Sequence, residues 1–231
     1  MYILLRSVLI AFTVFLVNTT SHSARDFIGS GVVFADPLNP LDDHLPAGDV
    51  TDSQADKTYK LIKAALVESY TKSLLPVAGL YNDWRRYNTT PYVSEPHGGR
   101  LVNDYANSTA ADYGRFETET QLPPGSVIAM DSFRVIPSCL PLSITADAVE
   151  HGPLFVMEKM SSGFNPASGD WRFSMVMPDG GLFGETKGVD HDRVKFCANC
   201  HQGAKSGHDW LFFPPKDYRV NGESEDQVAQ K

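Results

Sequence analysis

Cys197-Ala198-Asn199-Cys200-His201 sets two thiols three residues apart and puts an imidazole directly after the second. Thiols in that arrangement can add across the two vinyl groups of a haem as thioethers, and the adjacent imidazole then sits under the iron. A neutral imidazole nitrogen is a natural iron ligand, and its other N–H needs an acceptor nearby. Two other chemistries compete for a CxxC. A zinc half-site would call for a second CxxC or a His pair at suitable spacing, which the chain lacks. A redox dithiol would open a helix after a strand in a thioredoxin-like pattern, and that context is missing too. The motif therefore reads as the attachment site of one covalently bound haem c, with Cys197 and Cys200 as the thioether residues and His201 as the iron ligand.

If a haem is held there, its second axial position becomes the question. Met130, Met157, Met160, Met175 and Met177 are thioethers that could act as a sixth ligand, although flexible apolar side chains more commonly fill core gaps. His97, His151, His191 and His208 are second-ligand or proton-shuttle candidates, each weighed against a surface or structural role. Arg100 and Arg172 could pair with haem propionates or with ordinary carboxylates. Glu158 and Asp131 are candidate acids of the open face. Trp171, Trp210, Phe155, Phe173, Phe212 and Phe213 are expected to wall the pocket or to fill the core. Cys139, between Pro137 and Pro141, reads as a buried thiol ahead of an intermolecular disulfide.

These residues must be carried by a folded domain, and the composition allows one. The chain has 231 residues, 42% hydrophobic and 21% charged, a balance that fits a globular protein with a real core. Val8 to Val17 is an apolar run after a single basic residue, Arg6, and reads as the core of a signal peptide cleaved near Ala24. His22 sits where a small residue is preferred, so an uncleaved N-terminal anchor is the alternative. Loss of the leader removes Arg6 and no acid, which takes the formal charge from −8 to −9. That acidity argues against a nucleic-acid partner. It suits an exported, periplasmic protein and a redox partner there. Residues 25–73 read as an irregular extension followed by a helix over 51–73. Thr51 or Ser53 is the expected cap, Leu61, Ile62, Ala65, Leu66 and Tyr70 form the apolar stripe, and Pro76 is the stop. Residues 74–222 form the expected haem domain, followed by a polar tail at 223–231. Within the domain, 126–135, 154–160 and 171–177 are apolar segments between Gly/Pro/Asp turns. The last alternates as a half-buried strand should and runs into the turn Pro178-Asp179-Gly180-Gly181. The fold expected is α+β and β-rich, a mostly antiparallel sheet with an N-terminal helix and a C-terminal haem-binding helical turn.

A series of short motifs adds to this reading. His97-Gly98-Gly99-Arg100-Leu101-Val102-Asn103, Pro124-Gly125-Ser126-Val127-Ile128-Ala129 and Gly152-Pro153-Leu154-Phe155-Val156-Met157-Glu158-Lys159 come in that order. Gly169-Asp170-Trp171-Arg172-Phe173, Pro178-Asp179-Gly180, the CxxCH and Asp209-Trp210-Leu211-Phe212-Phe213-Pro214 follow. Over 81–220 the chain resembles the cytochrome P-460 family, which includes the beta-type cytochromes c prime. The resemblance implies a β-rich domain with a five-coordinate haem, usually in a homodimer, binding or transforming small nitrogen species such as nitric oxide and hydroxylamine. A six-coordinate electron carrier without substrate chemistry is the alternative. In hydroxylamine-oxidising members a lysine on the strand after the Pro-Gly-Ser-Val turn is linked to the haem edge. Here that place falls to Met130, and neither Lys159 nor Lys187 matches it. The resemblance thus leaves enzymatic hydroxylamine oxidation in doubt.

Overall fold

The computed structural model describes residues 50–117, 119, 121–136, 148–204 and 207–220. The leader, the extension before residue 50, Cys139 and the polar tail from residue 223 lie outside the described residues.

Helix α1 (Asp52–Thr71) begins at Thr51, whose hydroxyl accepts from the Gln54 N–H while the Gln54 side chain accepts from the Thr51 N–H. This reciprocal cap satisfies two backbone donors that the first turn would leave open. The buried stripe is Ala55, Thr58, Tyr59, Ile62, Leu66, Ser69 and Tyr70, at i, i+3 and i+4 spacing. Leu61 and Ala65 fall off that stripe and are exposed. The helix ends at Thr71, before the expected stop, and Pro76 instead opens the short helix α2 (Val77–Leu80). Proline suits a helix start because the N–H it lacks has no partner there anyway.

Among the described residues, eight strands form one antiparallel sheet. They are β1 (Arg85–Arg86), β2 (Tyr92–Ser94), β3 (Arg100–Ala106), β4 (Val127–Val135), β5 (Val149–His151), β6 (Leu154–Lys159), β7 (Trp171–Val176) and β8 (Leu182–Glu185). The order runs β1-β3-β4-β6-β7-β8, with β2 also on β3 and β5 also on β4. The α+β, β-rich architecture expected from the sequence is the one observed, and the three apolar segments match β4, β6 and β7 to within a residue.

Strand β7 departs from the half-buried expectation. Five of its six residues are buried, because the sheet is covered on both faces. Leu101, Tyr105, Val127, Ala129, Phe133, Leu154, Val156 and Val176 point one way and pack on α1 and α2. Ala106, Ile128, Trp171 and Phe173 point the other way, into a second core closed by Tyr87, Tyr113 and Leu211. The β7–β8 turn is seated on the end of α1. Gly180 has φ +86°, and a Cβ there would stand 2.5 Å from that of Lys72. Only glycine permits both that backbone and that approach.

Candidate haem site

The CxxCH motif folds as α3 (Lys195–His201). Positions i, i+3 and i+4 share one helix face, so Cys197, Cys200 and His201 line a single wall of one cavity. Both thiols are free. Burial pushes the Cys197 thiol up to about 12, with the neighbouring Cys200 adding to the effect. Among the described residues no group of three His, Cys, Asp or Glu side chains gathers to hold a bare metal ion.

His201 is fixed from behind. Its Nδ1 lies 2.8 Å from the Trp210 carbonyl oxygen, which can only accept, so Nδ1 carries the proton and Nε2 the lone pair. Phe173 and Phe212 flank the ring at centroid distances of 5.2 and 5.4 Å. Burial lowers the imidazole pKa, which keeps the ring in the neutral form that can ligate a metal.

The Trp210 carbonyl is itself held by a small network. Asp209 and Trp210 both have left-handed backbones, φ +51° and +61°. Asp209 accepts from the Leu122 N–H at 2.9 Å and forms a buried ion pair with Lys159, whose ammonium also lies 5.0 Å from the Trp171 ring centroid. The Asp209 carbonyl accepts from the Trp171 indole N–H at 2.8 Å. The Trp210 ring lies on Gly169, where a Cβ would come within 2.3 Å of it. The motifs Gly169-Asp170-Trp171 and Asp209-Trp210 are therefore two halves of one clamp behind His201. Gly169→Ala adds a methyl at φ +63° and drives it into the indole. We expect a loss of about 2 kcal/mol in urea unfolding from combined backbone strain and overpacking. Trp210 fluorescence should shift with it.

The cavity in front of His201 has a volume of about 380 Å³, within the range of small-molecule sites. Its floor comes from two cross-strand rows of the sheet. Asp104, Met130 and Phe155 stand side by side on β3, β4 and β6, and Ile128, Met157 and Phe173 on β4, β6 and β7. Phe212 and Phe213 close it from the segment after the motif. Two thiols and a neutral imidazole with a free Nε2 facing one apolar, aromatic-lined cavity are the donor set a haem requires. The residues present fit that group.

The other candidates divide sharply. His97 lines the cavity, with Nδ1 at 2.8 Å from the Ser94 hydroxyl oxygen and its ring 4.7 Å from Phe155. Burial and the nearby His201 push its pKa down to about 4. His191 is exposed beside Asp192, and His208 rests on Phe213 outside the cavity lining, as His151 lies outside it on β5. Met130 and Met157 line the cavity, whereas Met175 is core and Met160 and Met177 sit at strand ends.

Both proposed propionate partners are engaged elsewhere. Arg100 pairs with Glu150 at 3.0 Å, and Arg172 with Glu158 and Glu185. Glu158 is thereby spent as well. Asp131 faces α1 on the opposite side of the sheet, among Tyr59, Tyr81 and Asn103, and is not an acid of the cavity. Phe155, Phe173, Phe212 and Phe213 wall the cavity, Trp171 is core, and Trp210 belongs to the clamp. No lysine lines the cavity among the described residues. Lys159 is bound to Asp209 and Lys187 to the Phe164 carbonyl. Missed from the sequence were Asp104 and Tyr92, which meet in the cavity wall at 2.7 Å.

An antiparallel sheet with one face under a helix and the other lining a cavity beside a CxxCH turn defines a class, the β-sheet cytochromes, as distinct from the helical ones. A family model described as Cytochrome P460 matches residues 80–213, more than half of the chain. The chain belongs to the cytochrome P460 family and binds haem. No curated protein matches it.

Proposed function

We propose that this protein is an exported, mono-haem c-type cytochrome whose haem is held by thioethers from Cys197 and Cys200 and ligated by Nε2 of His201. The open face then takes a small nitrogen-containing ligand, nitric oxide or hydroxylamine. The observation that carries this reading is the shared wall: two thiols and an imidazole with its Nδ1 already committed face one apolar cavity. When bound, the haem supplies a redox-active iron with a coordination position for a small ligand. The chain's own residues hold the imidazole in one tautomer through Trp210 and exclude water with Phe155, Phe173 and Phe212. Export through the leader ending near Ala24 would deliver the protein to the periplasm. A homodimer and a periplasmic redox partner belong to the same reading. With Met130 in the cavity wall, no amine among the described residues stands ready for a third covalent link, which supports ligand binding over fast hydroxylamine oxidation.

One observation favours a second reading. His97 stands in the same cavity as His201, tethered at Nδ1, and could ligate the iron from the other side to give a six-coordinate electron carrier. Optical spectra of the ferrous protein with and without nitric oxide decide between them. We expect a high-spin spectrum that changes on adding nitric oxide. A low-spin spectrum indifferent to nitric oxide, becoming high-spin in His97→Ala, would establish the second reading. Intact-mass measurement should show one haem on the wild type and a lost or weakened adduct in Cys200→Ser. A wild-type protein without haem mass would end both readings.

A further inference from the structure

Two tyrosines line the cavity among the described residues, Tyr92 and Tyr113, and they differ in what receives the phenolic hydrogen. Tyr113 donates to the Phe212 backbone carbonyl at 3.3 Å, an oxygen that accepts a hydrogen bond but does not keep a proton. Tyr92 donates to Asp104 Oδ2 at 2.7 Å, and a carboxylate can keep one. The Asp104 carboxyl has no exposed surface, so water does not compete for that bond. Burial, with repulsion from Asp131, pushes it up to about 7 against the pull of the Tyr92 bond, which makes it a stronger base than an ordinary carboxylate.

Tyr92 is also connected to the surface. Its ring centroid lies 5.7 Å from that of Tyr218, which is half-buried. The Tyr218 hydroxyl donates to Asp52 Oδ1 at 3.0 Å, so the second phenol has a carboxylate of its own. The backbone holds the two rings together. The Thr89 N–H donates to the Tyr218 carbonyl at 2.7 Å, and Asn88 bridges to Arg219. Behind Tyr113 stands Tyr87 at 5.3 Å, but its hydroxyl ends on the Ala111 carbonyl. Tyr59 and Tyr81 do reach a carboxylate, Asp131, but on the α1 face of the sheet, away from the cavity. A phenol that gives up an electron becomes a strong acid, and its cation is costly in an apolar interior unless the proton leaves with the electron. Tyr92 alone combines the cavity, a proton acceptor and a second phenol beyond it.

We propose that Tyr92 and Tyr218 form a redox relay that carries oxidising equivalents from a haem in the cavity to the protein surface when that haem meets a peroxide. This rests on the open-site haem reading given under Proposed function. Hydrogen peroxide takes up two electrons, and two protons from solvent, to give two waters. One electron comes from the haem and the other from Tyr92, whose O–H bond breaks and whose proton passes to Asp104. Tyr218 then returns an electron to Tyr92, which takes its proton back from Asp104, while the Tyr218 proton passes to Asp52. A small reductant at the surface, such as ascorbate, restores Tyr218 with an electron and a proton. The relay spares Met130 and Met157, the two thioethers of the cavity wall, which an oxidant held there would convert to sulfoxides.

The test mixes haem-loaded protein at pH 8 with a stoichiometric amount of hydrogen peroxide and freezes it for electron paramagnetic resonance, with optical spectra taken alongside. The wild type should show a tyrosyl radical, lost in Tyr92→Phe and retained in Tyr113→Phe. Asp104→Asn can still accept the Tyr92 hydrogen bond but cannot take the proton, and should lose the signal as well. A second measurement needs no variant to fold. With the spin trap 2-methyl-2-nitrosopropane present, peptide mass spectrometry of the wild type should place the adduct on Tyr218. In Tyr92→Phe that adduct should vanish and sulfoxide at Met130 and Met157 should increase. A radical that persists in Tyr92→Phe or Asp104→Asn, a wild-type haem that peroxide oxidises with no tyrosyl signal, or trap adducts confined to residues other than Tyr92 and Tyr218 would overturn the relay and leave the haem reading intact. A haem spectrum that peroxide does not change would overturn the open-site reading and the relay with it.

Discussion

Replacing Lys159 by methionine is expected to destabilise the protein by about 3–5 kcal/mol, the usual cost of breaking a buried ion pair from one side. The methionine keeps most of the stem volume and loses only the ammonium. Asp209, with no exposed side-chain surface, is then left with the Leu122 N–H as its one remaining side-chain hydrogen-bond donor among the described residues. The same substitution acts on the site. Asp209 and Trp210 keep their left-handed backbones only while the surrounding contacts hold them, and the Trp210 carbonyl positions His201. Urea unfolding at pH 7 measures the first effect. A double-mutant cycle with Asp209→Leu should return a coupling of about 2 kcal/mol or more. The axial-ligand region of the optical spectrum measures the second effect, since a loosened imidazole alters ligation while a purely structural loss lowers only the unfolding midpoint. Single and double variants of additive stability would show that the pair is not what holds the clamp.

That clamp was only partly legible in the sequence. The CxxCH was readable because its chemistry is local, the spacing alone putting three donors on one helix face. The strands β4, β6 and β7 were readable because Pro123-Pro124-Gly125 and Pro178-Asp179-Gly180-Gly181 punctuate them. Lys159 and Asp209 lie 50 residues apart, and nothing in their neighbourhoods announces that they meet. The faces of the sheet were harder still. Alternation of apolar and polar residues tells inside from outside only when one face meets water. Here α1 covers one face and the second core the other, so β3 reads as seven buried residues in a row. Asp131 was therefore expected in the cavity and Asp104 was overlooked, although the strand pairing gives them opposite faces. Assigning a buried acid to a face requires the register, and a one-residue slip would exchange the two.

Asp131 carries the second large expectation, a pH dependence of stability that runs opposite to that of a paired surface carboxylate. The group is fully buried and accepts from Tyr59 at 2.6 Å, Asn103 at 3.0 Å and Tyr81 at 3.2 Å. Burial outweighs these donors and Lys63, and lifts its pKa from 3.8 to about 6. Between those two values the folded protein binds more protons at this site than the unfolded chain. Stability from this group is thus fully present below pH 3.8, falls as pH rises through 6, and is level above it. The two-unit shift implies that roughly 2 kcal/mol is lost from about pH 4.5 to about pH 7.5. Asp131→Asn mimics the neutral acid at every pH and should not show that share. Its unfolding free energy relative to the wild type should therefore rise by roughly 2 kcal/mol over the same interval, whatever its offset at the start. Asp104, raised to about 7 in part by repulsion from Asp131, has the same sign and is relieved of that repulsion by the same substitution, so the difference between the two proteins carries Asp131 together with a smaller change at Asp104. Parallel pH curves for the two would mean that the three donors, and not the burial of the carboxylate against α1, set its protonation. The helix would then be fastened to the sheet by a charge with no cost at neutral pH.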